Sequence, residues 1–227
     1  MCKETGKIFV KRSGISVSVI KRLPRYYRFL GDLKAKGIEC ISSSDLARRM
    51  GVTASQIRQD LNCFGGFGQQ GYGYNIEQLH KKIGEILCFG EEKKTILVGA
   101  GNIGRALAAH MDFEGKGYRL IGVFDKKPSL IGQIVSGIPV RNVSDLDEFC
   151  RENAPIVAIL CIPKEQTHDV ARQLVSLGIK GFWNFTHYDL SVEYPDITVE
   201  NVHLSDTLMT LSYNLAHNIT HNSKETK

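Results

Sequence analysis

The sequence predicts an α/β protein in two parts: a basic, mostly helical front and a back half built as a parallel sheet covered by helices. Three observations predict it. Charge divides unevenly: residues 1–90 hold 15 Lys and Arg against 7 Asp and Glu, while residues 91–227 hold 14 against 17. The hydrophobic period changes at Gly90-Glu91-Glu92-Lys93-Lys94, from helical spacing to short apolar strands alternating with helices. A glycine-spaced loop, Gly99-Ala100-Gly101-Asn102-Ile103-Gly104, follows the first of those strands.

Of the 227 residues, 42% are hydrophobic and 23% charged, the balance of a chain with packed cores. No apolar run approaches the roughly 20 residues that cross a bilayer. The N-terminus carries no apolar signal core. A cytoplasmic protein with no membrane partner is therefore expected. Cys2, Cys40, Cys63, Cys88, Cys150 and Cys161 show no paired metal-ligand spacing and read as free thiols.

Residues 1–15 read as a flexible basic arm containing Arg12. Val19, Leu23, Tyr26, Tyr27 and Leu30 then recur at helical spacing; Pro24 interrupts them, so the helix proper can begin there, and it ends near Lys36-Gly37. Ser42-Ser43-Ser44-Asp45 offers N-caps for a short helix to Met50. Gly51-Val52-Thr53 breaks it, and a third helix runs from about Ala54 to Cys63. The glycine-rich stretch from Phe64 to Tyr74 reads as a hairpin or loop, and Asn75 caps one more helix to about Cys88.

Helix, short helix, turn, helix and hairpin is the order of a winged helix-turn-helix. On the third helix Ala54, Ile57, Leu61 and Phe64 share one face. Ser55, Arg58, Gln59 and Asn62 fall on or beside the opposite one. Arg58 suits guanine, and Gln59 or Asn62 suits adenine. Lys21, Arg22, Arg25, Arg28, Arg48 and Arg49 are candidate phosphate contacts.

The back half reads as Thr95–Val98, Ile103–Met111, Leu120–Phe124, a Pro/Gly-rich stretch, Val143–Glu152, Ile156–Ile162, Glu165–Leu177, Gly181–Asn184 and Thr198–Val202, then a helix from His203 to about Ala216. In the glycine loop, Gly99 permits the turn, Gly101 lets the backbone approach a pyrophosphate, and Gly104 lets the helix pack on the strand. The helix N-terminus offers N–H groups to the phosphates. Asp125 ends the next strand 21 residues after Gly104, where a carboxylate meets the adenosine ribose; it favours NAD over NADP, although Lys126 and Lys127 soften that preference. This is a Rossmann unit for NAD(H). None of the seven histidines sits in a catalytic motif. His217 and His221 have metal-compatible spacing in a polar tail, and no metal is expected.

Taken in order, Arg22-Leu23-Pro24-Arg25-Tyr26-Tyr27-Arg28-Phe29-Leu30, Ile57-Arg58-Gln59-Asp60-Leu61, Phe64-Gly65-Gly66-Phe67-Gly68, Gly71-Tyr72-Gly73-Tyr74-Asn75, Gly99–Gly104, Val123-Phe124-Asp125, Ile162-Pro163, the stretch from Gly178 to Phe185 and Leu211-Ser212-Tyr213 resemble the redox-sensing transcriptional repressor family Rex. The likeness spans nearly the whole chain. It implies a winged-helix DNA-binding domain over 1–90, a Rossmann NAD(H) domain over 91–202, and a C-terminal helix and tail over 203–227 that swap onto the partner of a homodimer. The stripe Leu204, Leu208, Leu211 and Leu215 fits that role.

The resemblance implies a repressor that holds operator DNA with NAD+ or without ligand and leaves it with NADH. The implied cofactor set is Gly99, Ala100, Gly101, Asn102, Ile103, Gly104, Asp125, Pro163 and Asn184. The implied DNA-contacting set is Arg12, Arg25, Ser44, Ser55, Gln56, Arg58, Gln59, Asn62, Gly71 and Tyr72. A switch joins Arg28 with His110, where the family usually has tyrosine, and His203, where it usually has aspartate. Gln59, Gln69 and Gln70 stand where basic residues are usual, which weakens phosphate attraction. Two other readings fit parts of the sequence: an NAD-dependent oxidoreductase with a helical N-terminal domain, and a nucleotide sensor that binds protein partners.

Overall fold

A computed structural model describes residues 15–65, 68–69 and 73–218. Arg12, Gly71 and Tyr72, with the rest of the basic arm and the tip of the glycine-rich stretch, lie outside the described residues. The chain divides into two compact units between Gly90 and Glu91. No helix among the described residues is long and apolar enough to cross a membrane.

The first unit begins with α1, Val17–Ala35, capped by Ser16. Pro24 is compatible with a helix start, but the helix runs through it. Val19, Leu23, Tyr26, Leu30 and Leu33 form one buried stripe on both sides of the proline, whose own ring is exposed. Burial of that stripe outweighs the one backbone bond that proline cannot make, a loss of about 3 kcal/mol in an unsupported helix. A two-residue strand follows, β1 at Cys40–Ile41, which the sequence pattern does not announce.

Ser42 caps α2, Ser43–Met50, through its hydroxyl and the Asp45 N–H. Gly51 closes α2 in the left-handed conformation (φ 64°), and Thr53 caps α3, Ala54–Asn62. This tight joint is the helix-turn-helix. Strands β2, Gly68–Gln69, and β3, Gly73–Asn75, join β1 in an antiparallel sheet of order β1-β3-β2, and Asn75 caps α4, Ile76–Ile86. Leu23, Tyr26, Leu30, Leu46, Ile57, Leu61, Ile76 and Ile83 make a single core.

The second unit contains β4 (Lys93–Val98), α5 (Asn102–His110), β5 (Tyr118–Asp125), β6 (Ile134–Val135), β7 (Ile138–Asn142), α6 (Leu146–Asn153), β8 (Val157–Leu160), α7 (Lys164–Ser176), β9 (Gly181–Asn184), α8 (Leu190–Glu193), β10 (Thr198–Asn201) and α9 (Leu204–Asn218). Its sheet has the order β10-β9-β8-β4-β5-β7-β6. All pairs are parallel except β6 with β7. Omitting β6, this is the doubly wound Rossmann order, with its switch point between β4 and β8.

Alternate residues of the central strands feed two cores. Ile96, Val98, Ala158 and Leu160 pack with Phe149 and Leu174 of α6 and α7 on one face. Leu97, Val123 and Ile159 pack with Ala108 of α5 on the other. The Pro/Gly-rich stretch hides a hairpin: Ser136 and Gly137 both have positive φ (51° and 79°), the geometry of a tight two-residue turn between β6 and β7. The helix expected over Val143–Glu152 opens with a 3₁₀ turn at Val143–Asp145 before α6.

Candidate functional site

At the end of β4 the glycine loop has a separate physical reason at each glycine. A Cβ on Gly99 would lie 2.3 Å from the carbonyl oxygen of Cys161, the residue just past the end of β8 across the switch point. A Cβ on Gly104 would lie 1.9 Å from the Gly99 carbonyl oxygen, so no larger residue lets α5 pack on the loop. Around Gly101 there is only open space, so its missing side chain serves nothing inside the protein and leaves room for a ligand.

Gly101 is also the N-cap of α5 and supplies no side-chain cap. The first intrahelical bond runs from Arg105 N–H to the Gly101 carbonyl, leaving the N–H groups of Asn102, Ile103 and Gly104 without an intrahelical acceptor. Open space, bare backbone and unpaired donors together fit a pyrophosphate. NAD(H), when bound, would contribute this pyrophosphate, an adenosine ribose and a nicotinamide.

Asp125 lies at the carboxyl end of β5. Its Oδ2 accepts from the Ala100 N–H at 2.7 Å and its Oδ1 from the Lys127 N–H at 2.8 Å. The carboxylate is thus fixed beside the phosphate loop, with lone pairs left over for ribose hydroxyls. Across the switch point, Pro163 is the N-cap of α7 and its carbonyl accepts from the Thr167 hydroxyl. Asn184 ends β9 and is buried. Its amide donates to the Tyr188 carbonyl (2.6 Å) and to Asn201 Oδ1 (2.8 Å), and accepts from the N–H and hydroxyl of Thr186. It is therefore a clamp on the loop beyond β9. Burial pushes the Cys161 thiol up to about 12, so it stays protonated and is no nucleophile at neutral pH.

In the first unit, Ser55, Arg58, Gln59 and Asn62 are exposed on α3, opposite buried Ile57 and Leu61. Arg58 Nη1 donates to the Ser43 hydroxyl at 3.0 Å, tying it to the first turn of α2, where Ser44 is also exposed. Gln56 faces inward instead: its Nε2 donates to Asp60 Oδ1 at 2.9 Å. Arg25 is exposed, and its Nη2 donates to the Met50 carbonyl.

Asp60 is the buried centre of this unit, 1% exposed. Arg22 grips it with two parallel bonds at 2.6 and 2.7 Å, and the Tyr26 hydroxyl donates at 2.6 Å. Burial pushes the Asp60 carboxyl up, but the bonds from Arg22, Tyr26 and Gln56 outweigh it and hold the group below its ordinary value. Arg22, a candidate phosphate contact by its charge, is instead committed to Asp60. Charge composition alone carries no signal for that network.

Residues 14–62 match the family described as "Putative DNA-binding protein N-terminus", and residues 90–188 match "CoA binding domain". A protein of Clostridium perfringens (strain SM101 / Type A), "Redox-sensing transcriptional repressor Rex", is 49% identical over 208 residues, spanning 92% of this chain and 98% of that protein. Its namesake from Caldanaerobacter subterraneus subsp. tengcongensis is 50% identical over 205 residues, spanning 90% and 91%. The chain belongs to the Rex family.

Among solved structures, RSP in complex with β-NAD+ and operator DNA is 46% identical, covers 95% of this chain and 100% of that one, and has a TM-score of 0.83. RSP in complex with β-NADH is 43% identical, covers 93% and 99%, and has a TM-score of 0.84.

The residues expected to form a Rex-type switch sit as follows. Arg28 is exposed on α1. His110 is exposed in the last turn of α5, about 12 Å along the helix axis from Asn102 by the rise per residue. His203 precedes α9, with its ring parallel to that of His187 (interplanar angle 8°, centroids 6.0 Å apart). A polar chain runs toward this place from the end of β9: Asn184 bonds to Asn201 and Asn201 to Asp189, whose carboxyl is held below its ordinary value chiefly by hydrogen bonds from Ser191 and Asn201.

Proposed function

We propose that this chain is a transcriptional repressor that reads the NADH/NAD+ ratio: residues 1–90 bind operator DNA, residues 91–202 hold the dinucleotide, and residues 203–227 swap onto a second copy. The observation that carries the reading is the pairing, on one chain, of an open, glycine-lined helix N-terminus beside a fixed carboxylate with a basic helix-turn-helix whose α3 exposes Ser55, Arg58, Gln59 and Asn62. The bound dinucleotide is a signal; no hydride needs to move. The named relatives are repressors, which speaks against the oxidoreductase alternative.

On the dinucleotide side the backbone from Gly99 to Gly104 receives the pyrophosphate, Asp125 the ribose, and the segment around Pro163 and Asn184 the nicotinamide end. On the DNA side Arg58, Gln59, Asn62 and Ser55 read bases. Arg12, Arg25, Ser44, Gly71 and Tyr72 contact the backbone, and Gln56 acts by positioning α3. Arg28, His110 and His203 form the switch. The cytoplasm is the site of action.

A homodimer completes the reading. On α9, Leu204, Leu208, Leu211 and Leu215 are each more than half exposed, a stripe that needs cover. One face of the second unit carries an apolar groove of about 470 Å³ lined by Met111, Phe113, Val157, Ile159 and Trp183. A second copy supplies such cover to both, and two-fold pairing places two α3 helices on a palindromic operator.

Selection from a pool of random duplexes tests the DNA half. The expected product is a two-fold symmetric site retained by the wild-type chain; retention of no duplex would refute the reading.

A further inference from the structure

We propose that Arg105 and Gln133 form a tether that sets how tightly this chain holds the ADP half of a dinucleotide, while leaving its choice between NADH and NAD+ untouched. The inference rests on the dinucleotide reading of the loop from Gly99 to Gly104 and of Asp125. Arg105 stands in the first turn of α5. Its Nε donates to the Ala100 carbonyl at 3.0 Å and its Nη2 to Gln133 Oε1, while Gln133 Nε2 donates to the Ser129 carbonyl at 2.7 Å.

Ala100 is thus held from both sides: its N–H by Asp125 and its carbonyl by Arg105. The segment between β5 and β6 is held at two points, by the end of β5 and by the first turn of α5. Asp125 accepts from Lys127 near its start, and Arg105 reaches Gln133 at its end. This segment and the ribose-binding carboxylate frame the adenosine side of the site. Fixing them before the ligand arrives removes an ordering cost from binding.

NAD+ and NADH share the ADP half and differ at the nicotinamide. A tether confined to the ADP half therefore scales both affinities by one factor. Its geometry needs a fork: the guanidinium serves two acceptors on different segments at once, which a lysine ammonium on its flexible stem does not reproduce. Gln133 is exposed and outside the cores, so its replacement leaves the fold intact.

Titration calorimetry of the full chain with ADP, NAD+ and NADH tests the tether in Arg105→Met, Arg105→Lys, Gln133→Leu and the double variant Arg105→Met with Gln133→Leu. Each single variant is expected to bind all three ligands about fivefold more weakly, the worth of one net hydrogen bond. Arg105→Lys is expected to do no better than Arg105→Met, and the double variant no worse than the weaker single one. Wild-type affinity for ADP in Gln133→Leu, full recovery by Arg105→Lys, multiplied effects in the double variant, or a changed NADH/NAD+ affinity ratio would each overturn the tether. A wild-type chain that binds neither ADP nor dinucleotide would overturn the parent reading, a result told apart because it appears before any substitution.

Discussion

Helix α5 and helix α3 each present one candidate site, and they are held in place by opposite means. The position of α5 is written in backbone: Gly104 presses against the Gly99 carbonyl and Gly99 against the Cys161 carbonyl. The position of α3 is written in one buried charge: Asp60 draws Arg22 and Tyr26 of α1 and Gln56 of α3 onto a single carboxylate. A backbone-built joint tolerates almost no added atom at Gly99 or Gly104. A site oriented by a buried ion pair tolerates many surface changes but inherits the acid-base chemistry of that pair.

The largest effect that would break the comparison is on the glycine side. Gly104→Ala puts a Cβ where the Gly99 carbonyl stands, so NADH binding by calorimetry should weaken at least about 100-fold, a strain of a few kcal/mol. Operator binding without ligand should persist, because the first unit keeps its own core. Near-normal NADH affinity in this variant would show that the helix start is not the phosphate site.

The next effect is on the DNA side. Arg58→Ala should cost about 1–3 kcal/mol of operator affinity and relax preference at one base position, with NADH affinity unchanged. Fluorescence anisotropy on the selected duplex measures it, and loss of NADH binding in that variant would contradict the two-domain assignment.

A smaller effect reads the buried charge. Asp60 has a folded pKa below its unfolded one, so its contribution to stability is fully present above the unfolded value near 4 and is lost as pH falls through the folded value. Asp60→Asn should therefore destabilise the first unit at pH 7 by about 1–2 kcal/mol, discounted because the Arg22 side chain is 34% exposed. The gap in urea midpoints from wild type should begin to close only below about pH 4 and keep narrowing as pH falls further. A gap that stays constant with pH would show that packing, and not charge, is what Asp60 supplies. The smallest effect is Gln59→Lys, which should steepen the logarithmic salt dependence of operator binding by about one unit if Gln59 faces a phosphate-rich groove.

The same contrast decides what was legible in the sequence. Glycine spacing is a backbone requirement that appears as letters, so the loop from Gly99 to Gly104, the Asp125 after it and the strand-helix rhythm around them were readable. Helical periodicity likewise showed which face of α3 is apolar. Side-chain partnerships across long separations leave no such trace. Nothing local distinguishes Arg22, which grips Asp60, from Arg28, which is exposed one face away on the same helix. Nothing local ties Arg105 to Gln133.

Pro24 misleads for a related reason: its local preference for a helix start is overruled by a core that only the folded chain assembles. The Ser136-Gly137 turn was readable in principle, since Ser-Gly is a turn signal between two apolar pairs, but the surrounding prolines and glycines mask it.

The central claim is that the second unit's ligand governs the first unit's grip on DNA. The measurement that tests it most directly is operator affinity of the wild-type chain as the NADH/NAD+ ratio is raised at constant total dinucleotide. Affinity should be full with NAD+ or no ligand and fall progressively as NADH replaces NAD+. Equal affinity at every ratio, in a chain that demonstrably binds both dinucleotides, would contradict the account.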